Sequence, residues 1–108
     1  MRAVVLDEYG SIDNLALQDF PDPVPGPEDL IVEVRATAVN YVDLVMISGT
    51  YQFKPDPPFV PGKGPAGVVK AIGDKVTGFA VGDRVLAMAE QGGYAELTLI
   101  HQNNCYRL

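Results

Sequence analysis

Nine prolines and eleven glycines are spread through 108 residues, and their placement limits what this chain can build. Proline fixes φ and removes a main-chain donor. Neither a helix nor a central strand can therefore run through Pro21-Asp22-Pro23-Val24-Pro25-Gly26-Pro27, or through the segment holding Pro55, Pro57, Pro58 and Pro61. What remains between these stretches is short and apolar, which suits strands joined by frequent turns. A hydrophobic content of 47% is enough for a real core, and the length suits one domain.

The apolar pattern assigns the elements. Val4-Val5-Leu6 is a short strand running into a turn at Tyr9-Gly10-Ser11, and Asn14 to Phe20 is expected to pair with it. Leu30 to Val39 has the clearest alternation, with Leu30, Val32, Val34, Ala36 and Ala38 on one face and Glu33, Arg35 and Thr37 on the other. From Asn40 the period changes: Val42, Val45 and Met46 are helically spaced and Gly49 is a stop, so one short helix is predicted. Val68 to Ile72, Asp83 to Ala87 and Tyr94 to Leu99 are further strands, and Gly92-Gly93 predicts a tight hairpin between the last two. Several short strands with closely spaced turns point to a barrel or sandwich.

Charge and cysteine content exclude several functions. Fourteen acidic residues against eight basic ones give a net charge of −6, with the basic residues scattered singly. A nucleic-acid partner needs a clustered basic face, and none is present. The single cysteine, Cys105, allows no internal disulfide and no cysteine-based zinc knuckle, and it reads as a small buried hydrophobe. The apolar run after Met1 is too short for a signal peptide or a membrane span, so a cytoplasmic protein without membrane partners is expected.

Gly62-Lys63-Gly64-Pro65-Ala66-Gly67 satisfies the G-x-G-x-x-G pattern of dinucleotide-binding folds. That pattern works by leading a strand into a helix whose amino end meets the pyrophosphate. Here it follows Pro57-Pro58-Phe59-Val60-Pro61 and precedes a β-branched run that reaches Gly73 within one strand length. No room is left for the helix, and the match is rejected.

Several motifs in order carry a resemblance: Val39-Asn40-Tyr41-Val42-Asp43, Ser48-Gly49-Thr50-Tyr51, Pro58-Phe59-Val60-Pro61-Gly62, Ala66-Gly67-Val68-Val69, Ile72-Gly73-Asp74-Lys75-Val76, Phe79-Ala80-Val81-Gly82-Asp83-Arg84-Val85 and Gly92-Gly93-Tyr94-Ala95-Glu96. Together they resemble the medium-chain dehydrogenase/reductase family, specifically its zinc-free quinone oxidoreductase branch. The resemblance implies a mainly β, GroES-like, partly open barrel with one or two short helices. In the family a Rossmann domain follows, and substrate and nicotinamide meet in the cleft between the two. Residues 1–108 are expected to be the substrate-side domain, without the Rossmann domain and incomplete at the C-terminal end of the barrel. In the zinc-dependent branch a cysteine ligand lies near Asn40, and Gly-His-Glu stands where this chain has Gly62-Lys63-Gly64. The resemblance therefore implies no zinc. An acidic residue is usual at Gly64 in the quinone branch, so the acceptor is less sharply defined by the resemblance.

Four residues are candidates for chemistry. Asn40 offers both a donor and an acceptor for a nicotinamide amide, a ribose hydroxyl or a quinone oxygen; it also has N-cap spacing to Asp43, close to a capping box. Asp43 is a candidate catalytic carboxylate at that helix start. Tyr51 suits stacking on an acceptor or handing it a proton, and packing is its alternative role. Lys63 suits a cofactor's negative charge or an acceptor oxygen, with plain solvation as the alternative. His101 lies late in a strand with no partner in the sequence pattern and is not taken as a site. The reading is an NADPH-dependent reductase passing hydride to a quinone, homodimeric when complete and inactive as this domain alone. Reduction of an enoyl or alkenal C=C bond, or a non-catalytic protein-binding GroES-like module, are the alternatives.

Overall fold

A computed structural model describes residues 1–108. In it β1 (Arg2–Leu6) pairs antiparallel with β2 (Leu15–Asp19), from Arg2↔Asp19 to Leu6↔Leu15. This is the pairing the sequence predicts. The Pro21–Pro27 connector then crosses to β3 (Asp29–Ala36), which lies inside a second, five-stranded sheet. With β4 (Ala66–Ile72), β5 (Arg84–Ala87), β6 (Leu97–His101) and β7 (Cys105–Arg107), the order across that sheet is β6-β3-β4-β5-β7, every pair antiparallel. The sheet does not close on itself, and β6 and β7 are its edges. The fold is mainly β, as expected, with one α-helix and two 3₁₀ turns. No helix is long and apolar enough to cross a membrane.

The alternation expected from Leu30 to Val39 holds only in the first half of β3, since the strand ends at Ala36 and both Ala36 and Ala38 are exposed. Leu30 and Val32 are fully buried with Val69, Val85, Ala87, Ile100 and Cys105 in the largest apolar cluster. Glu33 and Arg35 share the wet face and form an ion pair at 2.9 Å. Ile31 is buried as well, so the first half of the strand is covered on both faces. The pairing of β3 with β4 shifts register between Val34 and Ala36, leaving Arg35 without an opposite residue. Regular strand ends there, before the residues that begin the helix. Cys105 is buried as a small apolar residue, and burial raises its thiol pKa.

Helix α1 (Tyr41–Ser48) has Asn40 at its N-cap and ends at Gly49, whose φ of 86° gives the left-handed C-cap. Its buried residues are Asp43, Met46 and Ile47, not the Val42, Val45 and Met46 stripe that spacing suggests. Met46 and Ile47 pack with Leu6 and Phe59, joining the helix to β1 and the second proline loop. A third cluster of Ala3, Val5 and Val60 continues that seam.

Two expectations are corrected. Gly92-Gly93 does not turn a hairpin between β5 and β6: β5 pairs with β4 and β7, and β6 pairs with β3. The segment instead lies against the second proline loop, where Gly93 N–H donates to Gly62 O at 2.9 Å. His101 is not without partners. Its Nδ1 accepts from Asn103 N–H at 3.1 Å, capping a 3₁₀ turn, and its Nε2 lies 2.9 Å from Glu28. The rejected dinucleotide pattern leads straight into β4 with no helix. Its last glycine serves the sheet, since a Cβ on Gly67 would lie 2.0 Å from the Glu33 carbonyl oxygen.

Gly67→Ala therefore forces β3 and β4 apart at the centre of the sheet. The expected loss is about 2–4 kcal/mol, seen as a lower urea midpoint with an unchanged m value.

Candidate functional site

Asn40, Tyr51 and Lys63 come from the helix cap, the loop after the helix and the second proline loop, and they line one surface cleft of about 360 Å³ with Leu86, Met88 and Glu90. Asn40 lines it from the N-cap position of α1, and Asp43 N–H donates to the Asn40 main-chain carbonyl at 3.0 Å. The reciprocal arm of the predicted capping box is present, with Asn40 N–H donating to Asp43 Oδ2 at 2.9 Å. The carboxylate thus holds the helix start while the amide stays exposed in the cleft.

Lys63 is not the freely solvated loop lysine that its position suggests. Its side chain is only 16% exposed. The ammonium forms an ion pair with the Glu90 carboxylate and also donates to the Glu90 main-chain carbonyl at 3.2 Å. It lies 4.6 Å from the centre of the Tyr51 ring and 5.8 Å from that of Phe53. Cation–π attraction of about 0.5–1 kcal/mol per favourable ring adds to the pairing and holds the charge against Tyr51. The loop carrying Lys63 is in turn fixed to the segment carrying Glu90. Gly64 N–H donates to Ala89 O at 3.2 Å, Gly92 N–H to Val60 O at 2.7 Å, Gly93 N–H to Gly62 O and Tyr94 N–H to Pro61 O at 3.0 Å.

Asp43, the fourth candidate, does not face this cleft. It is 1% exposed and lines a separate apolar recess of about 540 Å³ with Tyr94, Thr37, Val39 and Leu44. Its Oδ1 and the Tyr94 hydroxyl are both buried without a hydrogen-bond partner. Sequence reasoning missed Glu90 and Tyr94. Glu90 belongs to no recognisable pattern, since only folding brings it to Lys63. Tyr94 lies within the Gly92-Gly93-Tyr94 motif, where the glycine pair was the available signal.

The cleft lining offers no zinc set. It holds an amide, a phenol, a thioether, an ammonium and one carboxylate already paired with that ammonium. No group of three or more His, Cys, Asp or Glu side chains suited to a metal ion occurs in the molecule.

Comparison with known proteins agrees with this architecture. The family described as alcohol dehydrogenase GroES-like domain matches residues 26–108. A quinone oxidoreductase of Lama guanicoe is 40% identical over 110 residues, covering 100% of this chain and 33% of the relative. The solved human synaptic vesicle membrane protein VAT-1 homolog-like protein superposes with a TM-score of 0.95 at 35% identity, over 100% of this chain and 35% of that one. A mycobacterial protein solved in complex with NADPH superposes with a TM-score of 0.90 at 33% identity, over 100% and 34% of the two chains. The chain spans about a third of the length of the curated relatives it matches. It belongs to the alcohol dehydrogenase GroES-like domain family.

Burial, followed by the neighbouring Asp43 carboxylate, raises the Tyr94 pKa well above the ordinary tyrosine value of 10.0. Below pH 10 both folded and unfolded states keep this proton. Above it the unfolded chain loses the proton first, so stability must fall as pH rises. Urea titrations at pH 9 and pH 11 should show this decline, and Tyr94→Phe should make it shallower.

Proposed function

We propose that this domain is the substrate-side part of an NADPH-dependent quinone oxidoreductase that works without zinc, residues 1–108 forming a GroES-like unit that the complete enzyme extends. The observation that carries the reading is the meeting of Asn40, Tyr51 and Lys63 in one cleft whose donor set suits orientation and proton supply and does not suit a metal. The likeness to a protein named quinone oxidoreductase and to one solved with NADPH supports the same chemistry.

NADPH, when bound, supplies the hydride, and the residues of this chain have to orient the acceptor and supply the proton. The Asn40 amide can both donate and accept, so it fits the carboxamide of a nicotinamide or an acceptor oxygen. Tyr51, in this reading, stacks on a planar acceptor and passes its hydroxyl proton to the reduced oxygen, regaining one from solvent. The Lys63 ammonium beside that ring favours negative charge developing on the oxygen. Quinones accept hydride readily, so this assistance suffices without a Lewis acid. Asp43 contributes through the Asn40 main chain rather than through the acceptor. A cytoplasmic homodimer acting on a small-molecule quinone completes the proposal. A second reading is a non-catalytic GroES-like module, which the fold alone would serve equally well.

The test is NADPH oxidation by the complete protein with 1,4-benzoquinone in the presence of EDTA, beside an enone acceptor and beside residues 1–108 alone. Quinone turnover unaffected by EDTA, and absent from the short chain, is expected. Turnover on the enone only would replace the acceptor class, and no turnover on either would bring forward the non-catalytic reading. Asn40→Ala and Tyr51→Phe should each lower kcat/KM by about tenfold, the loss of one productive hydrogen bond in the transition state.

A further inference from the structure

The residue that ties the two sides of the cleft together is one that the proposed chemistry does not use. Tyr94 follows the glycine pair and is fixed on its main-chain side by its N–H bond to Pro61 O at 3.0 Å and by the Gly93 N–H bond to Gly62 O at 2.9 Å. Thr37, the residue after β3, donates from Oγ1 to Gly93 O at 2.7 Å. The ring lies so close to the loop that a Cβ on Gly62 would be 2.7 Å from Tyr94 Cδ1, and Gly62 already has a φ of 104°. Lys63 is the next residue. On its other side the tyrosine reaches the same recess as Asp43, where its hydroxyl and Asp43 Oδ1 are both fully buried and each lacks any other partner. The remaining oxygen of that carboxylate holds Asn40 N–H.

Two buried polar atoms left unpaired side by side would be costly, whereas paired with each other they satisfy both. We infer that Tyr94 is a positioning residue for this cleft: its hydroxyl donates to Asp43 Oδ1, fixing the carboxylate that sets Asn40, while its backbone fixes the loop that presents Lys63. The elevated Tyr94 pKa fits a phenol kept protonated beside a carboxylate. One side chain thereby sets the spacing between the amide and the ammonium. For its effect on turnover this inference rests on the proposed reductase activity, but the coupling itself does not.

The test uses Tyr94→Phe and Asp43→Asn in the complete protein, and both variants keep the side-chain shape. Amide hydrogen exchange at Asn40 is expected to quicken by about tenfold in each, reporting release of the N–H held by Asp43, while protection of Val32 and Val69 in the sheet is unchanged. In steady state, KM for NADPH should rise by about fivefold with kcat within about twofold, because binding rather than the chemical step is disturbed. Unchanged exchange at Asn40 in Tyr94→Phe overturns the inference. So does a loss of protection spread through the sheet, which would make Tyr94 a packing residue only. Faster exchange confined to Asn40 with KM unmoved in an active enzyme overturns the positioning role. If the parent protein reduces no quinone, the reductase reading fails by itself, and the exchange measurement still decides whether Tyr94 controls Asn40.

Discussion

Four main-chain hydrogen bonds, from Gly64, Gly92, Gly93 and Tyr94 to Ala89, Val60, Gly62 and Pro61, bind the second proline loop to the segment between β5 and β6. A loop of prolines cannot pair along its length, because each proline lacks a donor. Here three of the four donors come from the opposing segment and meet loop carbonyls, with Gly64 the one donor from the loop. The arrangement needs glycines where the two backbones touch, which is why a side chain at Gly62 or Gly93 would overlap its opposite strand of chain. Val60 and Phe59, held by the same loop, close the apolar seam under β1 and the helix. β1 and β2 are not strands of the five-stranded sheet, and the small sheet joins the rest through this loop and through direct bonds of β1 to the segment entering β6, Val4 N–H to Tyr94 O at 2.8 Å and Glu96 N–H to Arg2 O at 3.2 Å.

The cleft shows how an acidic domain can present a positive group without a basic patch. Lys63 is neutralised locally by Glu90 and oriented by two aromatic rings, so its charge is directional rather than long-ranged. A pair only part-exposed on the lysine side is screened less than a surface pair, and its contribution lies more in placement than in stability. Asp43 illustrates the complementary case. A carboxylate this deeply buried is tolerated because it accepts a main-chain donor at a helix start, where the dipole also favours negative charge. It stands behind the cleft and acts through the backbone it holds.

Local chemistry settled a good part of this molecule from the residues alone. The pairing of β1 with β2 followed from two short apolar runs and a turn, and the limits of α1 followed from Asn40 and Gly49, whose conformations are governed by their own neighbours. The dinucleotide pattern forms no strand–helix turn because a proline-rich approach and a β-branched exit contradict one. The hairpin between β5 and β6 failed for the opposite reason: Gly92 does take a positive φ of 92°, but Gly93 is a glycine because its backbone closes on Gly62 and Thr37, and the pair does not join β5 to β6. Sequence does not distinguish a glycine needed for φ from one needed for space.

Composition and periodicity by themselves thus determined a mainly β domain and the position of its one helix, and the chemistry of Asn40, Tyr51 and Lys63 marked them singly as candidates. Only tertiary structure decided that these three share a cleft, that Asp43 lies behind it, that Glu90 holds Lys63 and that Tyr94 stands between the two halves. The division has a physical basis. Turns, caps and strand periods are energies of residues within a few positions of one another, whereas Lys63 with Glu90 and Asp43 with Tyr94 meet only when the apolar clusters collapse and loops distant in sequence are brought into register.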